Sequence, residues 1–245
     1  MPAATCRLLP WSVAAGPHHM AADQTLLESA AAGLASLRFY GWSEATLSLG
    51  YFQPERLRHD DPLLAALPFV RRPSGGSTLV HHREVTYALA LPAGRPWQSG
   101  EPWLPRMHGI LAAALARLGV TANPVAPGAE RHFEGPLCFR HFTAGDLLIG
   151  EAKVVGSAQR KLRGALMQHG AILLEQSPHT PSLPGIRELT GRRLAAEEVA
   201  AAVAEELARQ TGWDLAPGEW TAGEQRRVEE LVATRYGQDA WNRKR

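Results

Sequence analysis

The sequence predicts a protein of the α+β class that folds as one unit. Strand-like and helical patterns alternate irregularly along its 245 residues, and no segment repeats. No linker rich in Pro, Gly or Ser divides the chain, and a chain of this length can bury an ample core. We therefore expect a single domain over residues 1–245, with its core over about 20–210 and a helical C-terminal end over 195–245.

The first third of the chain combines short strands with two helices. The expected elements are a strand at 7–12, a helix at 18–32, two paired strands at 36–42 and 45–52, and a short helix that ends at 66. In the first helix, Asp23 and Glu28 are expected to face water. Alternating β-branched and aromatic residues indicate the two strands, and Asp60 or Asp61 is expected to cap the short helix.

The remaining elements continue this mixed pattern. The segment 69–92 indicates three strands separated by turns, and the spacing of Ile and Leu predicts a helix over 102–119. A hairpin across Gly150 is expected from 146–149 and 153–155, followed by a strand near 171–174. Segments rich in Ala, Glu and Arg predict amphipathic helices at 195–210 and 218–236.

Composition and charge exclude several classes of protein. Lys plus Arg total 26 and Asp plus Glu total 24, so the net charge is only +2 and we expect no nucleic-acid partner. No apolar run approaches the roughly 18 residues of a membrane span, so no membrane partner is expected. The two cysteines, Cys6 and Cys138, make no disulfide framework, and the N-terminal segment lacks the basic region of a signal peptide. We therefore expect a reduced, cytoplasmic protein.

A glycine turn between two predicted strands is the first candidate for a binding site. Arg71 and Arg72 precede Gly75 and Gly76, and His81 follows in the next strand. Adjacent glycines let the backbone approach a ligand closely, and the arginines add fixed positive charge. An ordinary hairpin turn with solvated arginines explains the same residues, and the residues alone favour that interpretation.

Lys153 is the second candidate. It is one of only three lysines among the 26 basic residues, and it lies in an apolar strand. A lysine can lose its proton when it is desolvated, which an arginine cannot, but an edge-strand lysine with its ammonium in water is an equally good interpretation. Small residues of a bend and a His-Gly pair follow it, and they could line a site or simply pack: Gly156, Ser157, Ala158, His169 and Gly170.

Cys138 is the third candidate. A lone cysteine among apolar residues is usually inert, whereas a nearby cation favours the thiolate and makes the sulfur a nucleophile. Cys138 precedes the predicted hairpin that carries Lys153, so the fold could bring the two side chains together. Paired carboxylates, a P-loop and an HExxH motif are absent, and we expect no metal site.

Three segments together resemble one known family. They are RFYGWSEATLSLGYFQ (38–53), RRPSGGSTLVHHREVTYAL (71–89) and KVVGSAQRKLRGALMQHGAILL (153–174). In this order they resemble the lipoate-protein ligase A/lipoyl-octanoyl transferase superfamily, from about Met20 to about Leu174, and YGQDAWN (236–242) is similar to one branch. The resemblance implies the α+β biotin/lipoate protein ligase-like catalytic domain, which is related to class II aminoacyl-tRNA synthetase cores. The GRGR-type loop of biotin ligases is absent.

The superfamily contains three activities, and the resemblance favours one of them. Cys138-Phe139, with Lys153 fifteen positions later, matches the octanoyltransferase branch, which uses a cysteine thioester. Ser77 and His82 depart from the ligase pattern, and only about 70 residues follow Leu174, where ligases usually carry a further domain. An ATP-dependent lipoate-protein ligase, which would need ATP and Mg, is the alternative. An octanoyl amidotransferase and a non-catalytic acyl-binding module are less favoured.

The resemblance also implies roles for individual residues and partners. Cys138 and Lys153 would be catalytic, with no cofactor required. The implied substrate-binding residues are Arg71, Arg72, Gly75, Gly76, His81, Gly156, Ser157, Ala158, His169 and Gly170. The implied donor is octanoyl-acyl carrier protein, and the implied acceptor is a lipoyl domain of the H protein or of a dehydrogenase E2 subunit.

Overall fold

The computed structural model describes residues 3–98, 100–133, 135 and 137–245. In these residues, twelve strands form two β-sheets. The strands are β1 (Thr5–Leu8), β2 (Ser12–Ala14), β3 (Ser36–Trp42), β4 (Thr46–Leu49), β5 (Phe69–Arg71), β6 (Leu79–His81), β7 (Glu84–Leu91), β8 (Asn123–Pro124), β9 (Leu147–Ile149), β10 (Ala152–Leu162), β11 (Ala165–Leu173) and β12 (Asp214–Pro217). The helices are α1 (Gly16–Ala31), α2 (Pro62–Ala65), α3 (Trp103–Arg117), α4 (Ile186–Thr190), α5 (Ala196–Thr211), α6 (Ala222–Leu231) and α7 (Asp239–Asn242). This mixed content confirms the predicted α+β class.

The large sheet runs in the order β12-β1-β3-β7-β11-β10-β9-β8, with β2 also beside β3. Neighbours from β3 through β8 in this order are antiparallel, whereas β12, β1 and β2 join the β3 end as parallel strands. The small sheet has the order β5-β4-β6. No helix in the described part of the chain combines the length and apolar character needed to cross a membrane.

Side chains of the large sheet alternate between two helical layers, as the two-residue period of a strand requires. On one face, Leu37 and Phe39 of β3 pack in a core shared with α3 and α5. On the other face, Tyr40 packs with α1 and α6, and Arg38 binds α1 through hydrogen bonds. The small sheet lies on the α1 side, and the space between the two sheets becomes the site described below.

Asp23 lies in this core, which contradicts the expectation that it faces water. It is fully buried in α1, and its carboxylate accepts hydrogen bonds from Arg38 at 2.7 and 3.1 Å and from the Tyr40 hydroxyl at 3.2 Å. Burial by itself would raise the pKa of Asp23, but the charge of Arg38 and the hydrogen bond from His169 outweigh it and lower the pKa to about 2. A charged side chain can occupy the buried face of α1 because the sheet supplies its partners.

The segments 36–42 and 45–52 form strands, β3 and β4, but the predicted pairing between them is wrong. β3 pairs with β7, with Leu37 opposite Leu89 and Phe39 opposite Tyr87, and β4 lies between β5 and β6 in the other sheet. Helices cover β3 on both faces, so its partner is set by this long-range apolar match and not by the short turn at 43–45.

Other boundaries differ from the sequence predictions. The predicted strand at 7–12 is two strands, β1 and β2, with residues 9–11 between them. The predicted hairpin across Gly150 forms between β9 and β10, but β10 continues to Leu162 and pairs with β11, which begins at Ala165 and not near 171. The last long helix begins at Ala222 and not at 218, because β12 occupies the preceding residues as an edge strand beside β1. Thr221 caps this helix by accepting a hydrogen bond from Glu224 N at 3.1 Å.

Replacing Asp23 by Ala should lower the free energy of unfolding by about 3–5 kcal/mol, because the Arg38 guanidinium would stay buried without its counter-charge. Denaturant unfolding measures this change. Glu28→Ala, on the same helix, is the matched control: Glu28 and Arg227 are 31% and 35% exposed. Loss of such a partly exposed pair should cost only about 0–1 kcal/mol. Equal losses in the two variants would contradict the assigned role of Asp23.

The contribution of Asp23 to stability should also depend on pH. Its pKa is about 2 in the folded protein and about 3.9 in an unfolded chain. The stabilisation is therefore fully present above about pH 4 and is lost as the pH falls towards 2. Over that range the difference in unfolding free energy between the wild type and Asp23→Ala should shrink. A difference that stayed constant down to pH 2 would show that the carboxylate charge is not what stabilises α1.

Candidate active site

An apolar cavity lies where α1, the large sheet and the small sheet meet, and the space between its walls, including solvent at its mouth, is about 470 Å³. It is lined by Met20, Tyr40, Arg72, Gly76, Ser77, Leu79, His81, Thr86, Cys138, Phe139, Gly156, Ser157, Ala158, His169 and Gly170. Segments far apart in the chain therefore meet at one cavity, which includes most of the predicted substrate-binding residues.

The structure brings Lys153 next to Cys138, which lines this cavity. Cys138 begins a single 3₁₀ turn, Cys138–Arg140, and its backbone N–H donates to Thr78 O at 2.6 Å, which fixes the turn against the β6 side. Lys153 lies on β10 where the register with β9 shifts at a bulge. The Lys153 Nζ atom is 3.7 Å from Cys138 Sγ. A partly exposed thiol therefore lies between the cavity and a cation.

Lys153 is buried, at 4% exposure, so the interpretation that its ammonium lies in water is wrong. Its Nζ lies 2.6 Å from Asp146 Oδ2, 3.2 Å from His141 O and 3.5 Å from Cys138 O. All of these oxygens are acceptors, and the set matches the three N–H donors of an ammonium, which has no acceptor site of its own. The contacts therefore hold Lys153 as a fixed positive charge beside the sulfur.

Asp146 is a site residue that the sequence predictions missed. Its Oδ2 accepts hydrogen bonds from the Thr143 N–H and hydroxyl, both at 2.8 Å, and these bonds aim the carboxylate at Lys153. Both residues are buried, so each needs the other as a counter-charge. The predicted hairpin carried a signal, because it placed the acidic Asp146 at the start of the strand next to the one that carries Lys153.

His169 lines the cavity and is oriented by a buried carboxylate. Its Nδ1 lies 2.7 Å from Asp23 Oδ2, and its Nε2 lies 2.6 Å from Ser74 Oγ. Because Asp23 is ionised and accepts, Nδ1 carries a proton and Nε2 is directed at the hydroxyl. The second predicted cavity histidine, His81, likewise has a carboxylate at Nδ1 and a serine hydroxyl at Nε2.

That second histidine, His81, has Glu84 on Nδ1 and Ser48 on Nε2, the latter at 2.7 Å. Burial lowers the pKa of His81, although the carboxylate of Glu84 opposes the effect. Ser48 Oγ also accepts from Arg72 at 2.7 Å, which leaves its own proton for His81. The ring of Trp42 stacks on His81 with centroids 3.8 Å apart. His81 is therefore a fixed, neutral wall of the cavity.

The two adjacent arginines have different positions. Arg72 lines the cavity and donates to Gly75 O and Ser77 O at 3.1 and 2.9 Å, which holds the glycine turn in place. Arg71 points the other way and donates to Gly50 O, Gln53 O and Asn242 O. These bonds explain why it is buried, and they give it a structural role where a substrate contact was predicted. Gly76 lies on the cavity wall, and Gly75 is held just behind it.

The glycines of β10 and β11 are required by close contacts. A Cβ at Gly156 would lie 2.6 Å from Lys153 Cε and 3.0 Å from Nζ. A Cβ at Gly170 would lie 2.2 Å from Ser157 Oγ and 2.7 Å from Gly156 O. Ser157 itself is held by hydrogen bonds with the Tyr87 hydroxyl at 2.7 Å and His108 Nε2 at 2.6 Å.

Several residues that line the main cavity were not predicted from the sequence. Among them are Met20, Tyr40 and Leu79, which only the pairing of distant strands and α1 places there. Lys153 does not line that cavity but borders a second, open one, together with Phe133, Phe142 and Leu183. Phe139 borders both and separates them. Among the residues described, no group of three or more His, Cys, Asp or Glu is placed to hold a metal ion.

The chain is similar over nearly its whole length to curated octanoyltransferases. "Octanoyltransferase LipM" of Kyrpidia tusciae is 34% identical, with 97% of this chain and 98% of that protein covered. The protein of the same name from Bacillus subtilis is 30% identical, with 85% of this chain and 86% of that protein covered.

Solved structures of lipoate protein ligases share the fold. A putative lipoate protein ligase from T. acidophilum matches with a TM-score of 0.81 at 19% identity, over 99% of this chain and 100% of that one. Lipoate-protein ligase A bound with ATP matches with a TM-score of 0.79 at 20% identity, over 98% of each chain. These matches confirm the predicted fold.

A match to a family sequence profile identifies the family of this chain. The profile of the lipoyl protein ligase A/B catalytic domain matches residues 16–180, which include Cys138, Lys153 and both strands that carry the cavity glycines. With the full-length similarity to curated relatives, this match confirms the predicted superfamily: the chain belongs to the lipoyl protein ligase A/B catalytic domain family.

Proposed function

We propose that this chain is an octanoyltransferase that moves octanoate from acyl carrier protein to a lysine of a lipoyl domain through a thioester on Cys138. The observation that carries the proposal is the Cys138 thiol at the wall of an apolar cavity with the Lys153 ammonium 3.7 Å from its sulfur. The curated octanoyltransferases that resemble the chain along nearly its whole length support the choice of acyl group.

In the first step, the Cys138 thiolate attacks the carbonyl carbon of the octanoyl thioester. The bond from that carbon to the carrier's sulfur breaks, and the released thiolate takes up a proton, which leaves octanoyl-Cys138 and the free carrier. The ammonium of Lys153 attracts the negative charge that begins on the sulfur and passes to the carbonyl oxygen in the transition state. Because Asp146 holds Lys153, this charge is in place before the substrate arrives.

In the second step, the neutral ε-amine of the acceptor lysine attacks octanoyl-Cys138. An amide forms, the bond to Cys138 Sγ breaks, and the thiolate returns to its place beside Lys153. The proton of the attacking amine goes to solvent or to a base. Lys153 is held as a cation by acceptors on all sides and serves as a fixed charge in both steps.

The cavity suits an aliphatic chain. Met20, Leu79 and Phe139 offer apolar surface. The Tyr40 hydroxyl and His169 Nδ1 donate hydrogen bonds to Asp23, so these polar groups are already paired. Each methylene that the chain buries contributes about 0.8 kcal/mol before the costs of binding. Since a thioester is already activated for acyl transfer, the proposed reaction needs neither ATP nor a metal ion.

Incubation with octanoyl-acyl carrier protein in the absence of ATP should add one octanoyl mass to the protein, located on Cys138. Intact and peptide mass spectrometry measure the adduct. Cys138→Ala should show no adduct, while Cys6→Ala, the matched control at the other cysteine, should be acylated like the wild type. If free octanoate with ATP and Mg labels a lipoyl domain and the carrier thioester does not, the chain is a ligase and the proposal is wrong.

Replacing Lys153 and Asp146 together by Gln and Asn should slow acylation by about 100-fold or more, because the pair loses its charges but keeps hydrogen-bonding groups of similar size. Single-turnover acylation gives the rate, and the melting temperature shows whether the fold survives. The double variant avoids the uncompensated buried charge that either single change would leave. A well-folded double variant with a near-normal rate would show that the ammonium charge is not used.

Gly156→Ala should slow acylation by about tenfold or more, because its Cβ would meet Lys153 Cε at 2.6 Å and push the ammonium away from Cys138. Gly109→Ala in α3 is the matched control, since a Cβ there meets no atom within 4 Å. Both variants should fold. Unchanged acylation in Gly156→Ala would mean that the close position of Lys153 is unimportant.

A further inference from the structure

A cluster of cations surrounds two aromatic side chains at the surface. Lys244 Nζ lies 3.6 Å from the centre of the Tyr51 ring, and the guanidinium carbons of Arg245 and Arg160 lie 5.5 and 5.9 Å from it. Arg245 lies equally close to Phe52, which is 68% exposed. These five residues, Tyr51, Phe52, Arg160, Lys244 and Arg245, are called the basic patch below.

No side-chain carboxylate in the described part of the chain forms an ion pair with the cations of the basic patch. No Asp or Glu oxygen in those residues lies within 4.0 Å of a side-chain nitrogen of Arg160, Lys244 or Arg245. The neighbouring Arg243, by contrast, pairs with Glu55 at 3.1 Å. The hydrogen bond from Lys244 and the charges of Lys244 and Arg245 lower the pKa of the Tyr51 phenol, as a positive local field requires.

One wall of the cavity leads directly to the patch along β10. Side chains two residues apart share a face of a strand, so Arg160 follows Gly156 and Ala158 on the cavity side. Leu162, the next residue on this face, packs beside α1 with Ala165 and Met167, which confirms the direction. Arg160 is four residues from Gly156, or about 13 Å along an extended strand.

The opposite wall leads to the same place through the glycine turn. Tyr51 N donates to Ser74 O at 2.9 Å. Phe52 Cδ2 lies 4.0 Å from the position of a Cβ on Gly75, and Gly76 lines the cavity. The two walls converge where Arg160 meets Tyr51. The patch therefore forms the rim of the cavity at the end away from Lys153.

We propose that the basic patch is the docking surface for the donor, an acidic acyl carrier protein whose acyl group is held on a phosphate-anchored arm. The inference rests on the proposed function. The carrier's carboxylates and the phosphodiester at the base of its arm lie on Arg160, Lys244 and Arg245, and the arm runs from the patch past the glycine turn into the cavity, towards Cys138.

Reach and charge together favour the donor as the occupant of the patch. About 13 Å of strand separates Arg160 from Gly156, beside which Lys153 lies. The four-carbon stem of a lysine anchored at the patch is too short to cover this distance, so an acceptor domain would have to present its lysine from another point. A carrier arm, which is several times longer and bears its phosphate at the far end, suits both the distance and the charge.

Charge reversal tests the assignment. The triple variant Arg160→Glu, Lys244→Glu and Arg245→Glu should need at least about tenfold more octanoyl-acyl carrier protein for half-maximal acylation at low salt, with a smaller difference at high salt. Acylation by octanoyl-N-acetylcysteamine, an uncharged donor without a carrier, should be unchanged. Lys161→Glu is the matched control, because this exposed neighbour of Arg160 lies on the opposite face of β10.

Binding of fluorescent octanoyl-acyl carrier protein to Cys138→Ala protein, with and without the triple change, separates docking from chemistry. Normal carrier binding by the triple variant would overturn the docking assignment even if wild-type Cys138 is acylated. Lost binding in the triple variant, with no adduct on wild-type Cys138, would support the docking surface and reject the proposed function. Equal slowing with the small donor, or a defect only in transfer from octanoyl-Cys138 to a lipoyl domain, would also overturn it.

Discussion

The buried ammonium of Lys153 determines how the rest of the site is arranged. A cation at 4% exposure needs an anion and an acceptor for each of its N–H groups. Asp146 supplies the anion, and the backbone carbonyls of Cys138 and His141 supply the other acceptors. Both carbonyls belong to the loop that carries the thiol. Satisfying the cation and positioning the nucleophile are therefore one structural requirement, because a loop that moved away would leave a buried charge without partners.

A second buried ion pair organises the far wall of the cavity. Asp23 of α1 accepts hydrogen bonds from Arg38, Tyr40 and His169. These three side chains lie on the face of β3 and β11 that is turned towards α1. The polar ends of Tyr40 and His169 are thus turned towards the carboxylate. Their remaining surface borders the cavity. An apolar space can exist beside this charged cluster only because each polar group already has its partner.

The sequence predicted those parts of the fold and site that depend on local pattern or on the combined family motifs. Most elements, the α+β class and the Cys138–Lys153 pair follow from such signals. The position of Asp23 could not be predicted, since helical spacing does not reveal that a distant strand offers Arg38. The β3–β7 pairing could not be predicted either, because it depends on β3 being covered by helices on both faces. The period of a strand did contain one unused signal: Arg71 and Arg72 are adjacent, so only one of them could face the cavity.

The geometry of the site explains why position 153 has a lysine in a chain that uses arginine almost everywhere else. Arg bears nearly all the positive charge elsewhere. Its planar guanidinium has several N–H donors, which suits the sets of backbone carbonyls that Arg71 and Arg72 bind. At position 153 the acceptors surround a single nitrogen, and Gly156 has no room even for a Cβ. A compact ammonium with three rotatable donors fits this space, whereas a wider guanidinium would have to displace Cys138 or Asp146. The choice of cation is therefore set by the geometry of the acceptors and by the glycine beneath them.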